Sequence, residues 1–369
     1  MSKAAELAAL IGSQTALSNR NIVINGAMQV AQRGTSATVG PNGTGEGYTV
    51  VDRFLNSLNG SVVSTFTQST DAPSGFANSA KIEITTADSS LGSTEFWNFR
   101  YSAEGQDLQS IAKGTSDAKA ITLSFYVKSN KTGTYTVELE DTDNSRLNAL
   151  AYTVDSANTW ERKTLTFNAD TTGEFTNDNN LSLRINFWLC SGSQYQGGTF
   201  FNGTWGADTD ANRVHSSQVN LGDTVGNEWY ITGIQLEVGE QATPFEHRSF
   251  GDELRRCQRY YEHSYPYGTA AGAANGGVGA MHLHAGASRP SGYGLVTTRY
   301  TVQKRAGATV TIYSYGGTSG QMSNGDSGAD IGAVDVIQNG ATSFLVRNNS
   351  GGTFSEQPII FHYRGDAEL

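Results

Sequence analysis

The sequence is poor in charge, in proline and in cysteine, and each shortage excludes something. Charged residues make up only 16% of its 369 residues, while aromatics reach 10% and hydrophobic residues 37%. A disordered chain carries more charge and fewer rings, so this chain can bury real cores. Its length allows two domains and a small third element. Six prolines against 43 glycines exclude Pro-rich linkers and imply many tight turns. The two cysteines, Cys190 and Cys257, support neither a disulfide framework nor a zinc site. They read as unpaired thiols in apolar settings, one closing a strand and one on a short helix. Basic runs are missing. The balance is 25 Lys and Arg against 35 Asp and Glu, a net charge of −10. That excludes nucleic acid and an anionic membrane as main partners, because both need a basic footprint. No stretch approaches the roughly 18 apolar residues of a membrane span, so no membrane insertion is expected. The opening MSKAAELAALIGSQ is interrupted by Glu6, which excludes a signal peptide. It reads as a short amphipathic helix with Leu7, Leu10 and Ile11 on one side.

What is present is alternation. In ITLSFYVK, Ile121, Leu123, Phe125 and Val127 share one face. TYTVELE sets Tyr135, Val137 and Leu139 together, and LSLRINFWLC does so for Leu181, Leu183, Ile185, Phe187 and Leu189. This period marks strands with one buried face. Asn-Gly, which suits the positive φ of tight hairpins, occurs at Asn25, Asn42, Asn59, Asn202, Asn275, Asn324 and Asn339. Short strands with such punctuation predict an antiparallel sandwich rather than a parallel α/β sheet. NIVINGAMQVAQRGTS also alternates and reads as extended. No regular repeat is visible.

The pattern changes after NEWYITGIQLEV, whose Tyr230, Thr232, Ile234, Leu236 and Val238 are expected on one face. Pro244 breaks it. Ser249 can then cap a short helix, with Asp252 near its N-terminus and Leu254, Cys257 and Tyr261 on one side. Pro266 is expected to stop it. The last hundred residues return to strands, in LVTTRYTVQKRAGATVTIYSY, TSFLVRN and QPIIFHY, between Gly-rich loops. The predicted fold class is all-β: an antiparallel jelly-roll sandwich, a short linking helix and a smaller C-terminal β-sandwich. The expected limits are 1–20 for an N-terminal arm, 21–247, 248–266 and 267–369.

Three segments in order, NIVINGAMQVAQRGTS, YTVVDRF and ITGIQLEVGEQATPFEHRSFGDELRRCQRYYEHS, resemble the signature of phage tail-fibre and virion structural proteins, common among marine phages. The middle section from Ile121 to Phe167 is similar to jelly-roll carbohydrate-binding modules. VQKRAGATVTIYS resembles the C-terminal β-domain of the same fibre proteins. The resemblance implies a homotrimeric virion protein on the tail or capsid surface. Its role would be host adhesion through non-enzymatic binding of a surface glycan or receptor. Leu7, Leu10 and Ile11 would dock it to an adjacent virion protein. Glu246 and His247 fall in the signature, where a structural role is expected. Two alternatives follow: a head fibre or capsid decoration protein without a receptor role, motivated by the short N-terminal arm, and a tailspike-type polysaccharide depolymerase.

Several constellations bear on these readings. Tyr195, Phe200, Phe201 and Trp205 lie in a Gly-rich stretch, which favours surface rings able to stack on sugar faces. Phe96, Trp97, Phe99 and Tyr101 are strand-like and expected in a core or interface. His282 and His284 alternate in MHLHAG, and three copies around a threefold axis would offer six imidazoles to a metal ion. Otherwise no cofactor is expected. Asp141, Asp143 and Ser145 in DTDNSR lack the glycine and glutamate of a calcium loop and read as a hairpin turn. No nucleophile elbow, metalloprotease helix or phosphate loop is present.

Overall fold

A computed structural model describes residues 19–41, 44–284, 294–349 and 358–369. Among these the protein is almost entirely β. The chain divides into two compact units. Among the described residues, the first comprises 19–29, 36–41, 44–49 and 54–249, and the second 30–35, 50–53, 250–284, 294–349 and 358–369.

The first unit is an antiparallel jelly-roll sandwich of two six-stranded sheets. One sheet orders β1 (Ser36–Val39), β3 (Val63–Ser69), β4 (Ser79–Thr86), β12 (Glu228–Val238), β6 (Ile121–Ser129) and β9 (Glu161–Phe167). The other orders β11 (Gly206–Ala207), β8 (Arg146–Val154), β7 (Gly133–Asp141), β10 (Leu181–Ser191), β5 (Phe96–Glu104) and β2 (Phe54–Asn59). Alternation supplies the core between them. Ile121, Leu123, Phe125 and Val127 are buried from the first sheet, and Tyr135, Val137, Leu139, Ile185 and Phe187 from the second. Rings cross the interface: Phe99 and Phe187 both pack on Trp229, and Phe125 packs on Phe187. Burying each such side chain is worth about 1.5–3 kcal/mol.

At three places the structure departs from the local sequence pattern. On β12, Trp229 and Ile231 face the core, not Tyr230 and Thr232. A register shift between Thr232 and Gln235, with Gly233 at φ 63°, then returns Ile234 and Leu236 inward. Residues 19–35 form no strand: a turn closes with Met28 N–H donating to Asn25 O, and Ile22 N–H donates to Leu236 O. The helix α1 (Phe250–Gln258) ends early, and Tyr261 lies on β13 (Tyr261–His263).

In the second unit β13, β14 (Met281–His284), β15 (Gly294–Arg299), β16 (Thr309–Tyr313), β17 (Gln321–Asn324), β18 (Asp330–Ile337), β19 (Ser343–Asn348) and β20 (Pro358–Asp366) make one antiparallel assembly. β20 is its spine: its first half pairs with β14 and β17, its second with β13 and β16. Phe344, Val346, Ile359, Phe361 and Tyr363 fill the core. Residues 248–266, read from sequence as a link, supply α1 and β13, which belong to this unit from Phe250 onward. The short insertions 30–35 and 50–53 belong to it as well.

Candidate functional site

The second sheet of the sandwich has an outer face made by the polar half of its alternation. β7 contributes Thr136, Glu138 and Glu140, β10 contributes Arg184, Asn186 and Trp188, and β5 contributes Asn98, Arg100 and Ser102. The register sets these in rows: Glu138, Asn186 and Arg100 are direct cross-strand neighbours, as are Glu140, Arg184 and Ser102.

Asn186 is the hub. Its amide donates to Glu138 Oε1 at 3.0 Å and to Glu140 Oε2 at 3.3 Å. Its Oδ1 accepts from Arg100 Nε at 2.6 Å. Glu138 is fully buried and also accepts from Trp188 Nε1 at 3.2 Å and from Arg213 Nη1 at 2.8 Å. Burial raises its carboxyl to about 7, against Arg213, which favours the charged form. Glu140 is half-buried and pairs with Arg184 at 3.1 Å. Burial alone would raise its pKa, but the Arg184, Arg100 and Arg213 charges hold it below the usual carboxylate range. Arg100 is half-buried, and Tyr48 lies close enough to interact with it electrostatically.

Of the rings proposed from sequence, Tyr195 reaches this face. Its ring centroid is 5.2 Å from Trp188 and 5.6 Å from Phe96, and it stands half-buried on both. Phe200 lines an adjacent cleft of 330 Å³ with Asn202, Val214 and His215. The backbone joins the two places, since Val214 N–H donates to Tyr195 O and His215 N–H to Thr136 Oγ1.

Phe201 and Trp205 lie apart from these rings. Phe201 packs at Gly206 on β11. Trp205 donates its indole N–H to Asn168 O at 2.9 Å, and its ring lies 5.1 Å from the Lys113 ammonium. That ammonium is caged by Asp141 Oδ2 at 2.5 Å, Asp170 Oδ2 at 3.1 Å, Thr172 O at 2.9 Å and Gly173 O at 2.8 Å. The other Asp141 oxygen accepts from the N–H groups of Asp143 and Asn144, the hairpin turn expected from DTDNSR. Asp208 and Asp210 both pair with Arg213.

Trp97, Phe99 and Tyr101 are buried in the sandwich, while Phe96 turns outward. Glu246 accepts from the N–H groups of Asn19 and Asn21, and Arg248 donates to Val23 O, so the PFEHR segment fastens residues 19–23. Both cysteines are free and buried. His282 and His284 lie on β14 opposite Ile360 and Pro358, and His282 is exposed. Among the described residues no three His, Cys, Asp or Glu converge on a metal position. Leu7, Leu10 and Ile11 lie outside the described residues. Arg100, Asn186, Glu138 and Glu140 lie in the polar half of the alternation, which does not mark them as a site. The available signal was the occurrence of Arg, Asn and Glu, rather than Ser, Thr and Lys, in the polar half of three strands.

No family model matches the chain, and no curated protein matches it. Solved structures resemble it at low identity. A domain of tailspike protein 4 of bacteriophage CBA120 is 13% identical over 59% of this chain and 21% of that one, with a TM-score of 0.30. A family 11 carbohydrate-binding module of a Clostridium thermocellum cellulosomal cellulase is 11% identical over 55% and 95%, with a TM-score of 0.28. A family 22 module of a Clostridium thermocellum protein is 10% identical over 61% and 99%, with a TM-score of 0.30.

Proposed function

We propose that this chain is a non-enzymatic, glycan-binding fibre protein of a phage virion, assembled as a homotrimer. The observation that carries glycan binding is the Arg100–Asn186–Glu140–Arg184 network beside the half-buried Phe96 and Tyr195. Sugars are recognised by fixed planar polar groups that bond hydroxyls and by rings that cover C–H faces. Here the polar groups hold one another in place before any ligand arrives, which limits the ordering cost of binding. The virion role and the threefold assembly rest on the sequence resemblance.

The network also favours binding over cleavage. Glycoside hydrolysis needs two carboxyls free to reach the scissile bond. Glu138 is sealed by Asn186, Trp188 and Arg213, and Glu140 is engaged by Arg184.

Titration calorimetry with oligosaccharides from host capsule and lipopolysaccharide tests this reading. Binding is expected, lost in Tyr195→Ala with the melting temperature unchanged and without release of reducing ends. Cleavage, or no binding to any host glycan, would overturn it. Light scattering should give a mass near three times 39.4 kDa; a monomer would remove the threefold assembly.

A further inference from the structure

Three arginines serve the outer face of the second sheet, and two of them are neutralised. Arg184 pairs with Glu140 at 3.1 Å. Arg213 pairs with Glu138 at 2.8 Å, Asp208 at 2.7 Å and Asp210 at 3.0 Å. Arg100 differs. Its Nε is fixed by Asn186 Oδ1 at 2.6 Å, and it makes no ion pair among the described residues. Glu138 and Glu140 act on it only at longer range, while desolvation and the like charge of Arg184 disfavour its cation. A half-buried cation without a carboxylate partner is a costly feature on a finished surface.

We propose that the glycan held on this face is acidic, and that Arg100 takes the carboxylate of a uronic or sialic acid residue. The proposal rests on the glycan-binding reading and names its ligand class. The Nε bond orients the guanidinium toward Asn186, and neither Nη group makes a hydrogen bond or ion pair among the described residues. A planar fork matches a carboxylate bidentately, which an ammonium cannot do. The chain's net charge of −10 works against a polyanionic tract bound by general attraction. The recognition is therefore one acidic group at one position, on the β5 face that carries Phe96 four residues earlier with Tyr195 packed against it.

The test uses the full chain against alginate, polygalacturonate, hyaluronan and sialyl-lactose oligosaccharides, each also after chemical reduction of its carboxyls to alcohols. At least one acid form should bind, and its reduced form should bind about 10- to 100-fold more weakly. Arg100→Gln should remove that difference, bringing the acid form down to the level of the reduced one. Arg100→Lys should restore part of it, which separates charge recognition from a folding defect. Equal binding of acid and reduced forms by the natural protein overturns the acidic-ligand assignment and leaves glycan binding standing. So does binding confined to neutral host oligosaccharides. Binding to no glycan in any arm, host or model, overturns both.

Discussion

Glu138 is a carboxyl placed where water cannot reach it, yet three donors converge on it. Burial raises it to about 7, while an unfolded glutamate titrates near 4.3. Between those values the folded chain holds a proton that the unfolded chain has released. The stabilising contribution is therefore full below about pH 4 and is lost as pH rises through 7. Relative to Glu138→Gln, the natural protein should lose on the order of 3 kcal/mol between pH 4.5 and 7.5. Urea unfolding of both proteins at several pH values checks this, and parallel profiles would show that Glu138 stays ionised beside Arg213. Lys113 illustrates the same physics with the opposite charge: a buried ammonium is tolerated because four oxygens surround it.

At the scale of elements, β12 shows how one residue reverses a face. Before Gly233 the odd-numbered Trp229 and Ile231 point inward; after it the even-numbered Ile234 and Leu236 do. The change of parity needs a backbone at φ 63°, with the rings of Phe76 and Tyr126 close above it. A Cβ there would meet Phe76 Cζ at 2.7 Å. Gly233→Ala should therefore cost about 1–3 kcal/mol of stability, from backbone strain and overpacking. The denaturation midpoint is the readout, and an unchanged midpoint would mean that the bulge adapts freely. The short α1 has a comparable cause. After Gln258 the β20 residues Arg364–Asp366 offer Tyr261–His263 a ladder of hydrogen bonds, and the chain turns from helix to strand.

At the scale of the whole molecule, the second unit is built from three pieces of chain. Gln32 and Arg33 from AQRG and Asp52 and Arg53 from VDRF enter it beside α1 and the C-terminus. Arg53 is fully buried at φ 72°, lies 3.3 Å from the centroid of the Tyr260 ring and pairs with Glu368. Arg33 lies 3.7 Å from the Tyr261 centroid and pairs with Asp366 at 3.2 Å and Glu368 at 3.3 Å. A fragment of residues 250–369 alone would leave Glu368 buried without either cation. It should fail to fold, seen as rapid proteolysis and no cooperative melt. A fragment that melts cooperatively would show that these insertions are dispensable. The cluster joins AQRG (31–34) and VDRF (51–54) to the C-terminus through charges that are neutralised only together.

Much of the fold was legible because strand alternation is local. Phe125, Val137, Ile185 and Phe187 announce their burial through neighbours two residues away, and Asn-Gly pairs announce turns through their own φ preference. The free buried cysteines, the hairpin at Asp141 and the all-β class followed from the same short-range rules. Glycine neighbours mark Tyr195, Phe200, Phe201 and Trp205 alike, and that local signal does not separate Tyr195, which packs on Trp188, from Trp205, which bonds Asn168 O. The convergence of Arg100, Asn186, Glu138 and Arg213 was not legible. It depends on register between β5, β7 and β10 and on a loop that brings residue 213 back over residue 138. The parity change on β12 and the passage of residues 30–35 and 50–53 into the second unit were equally hidden. Burial in most strands follows from local alternation alone. Which polar residues meet depends on the folded arrangement, because register and pairing are set by contacts among residues dozens to hundreds of positions apart, on which a two-residue period carries no information.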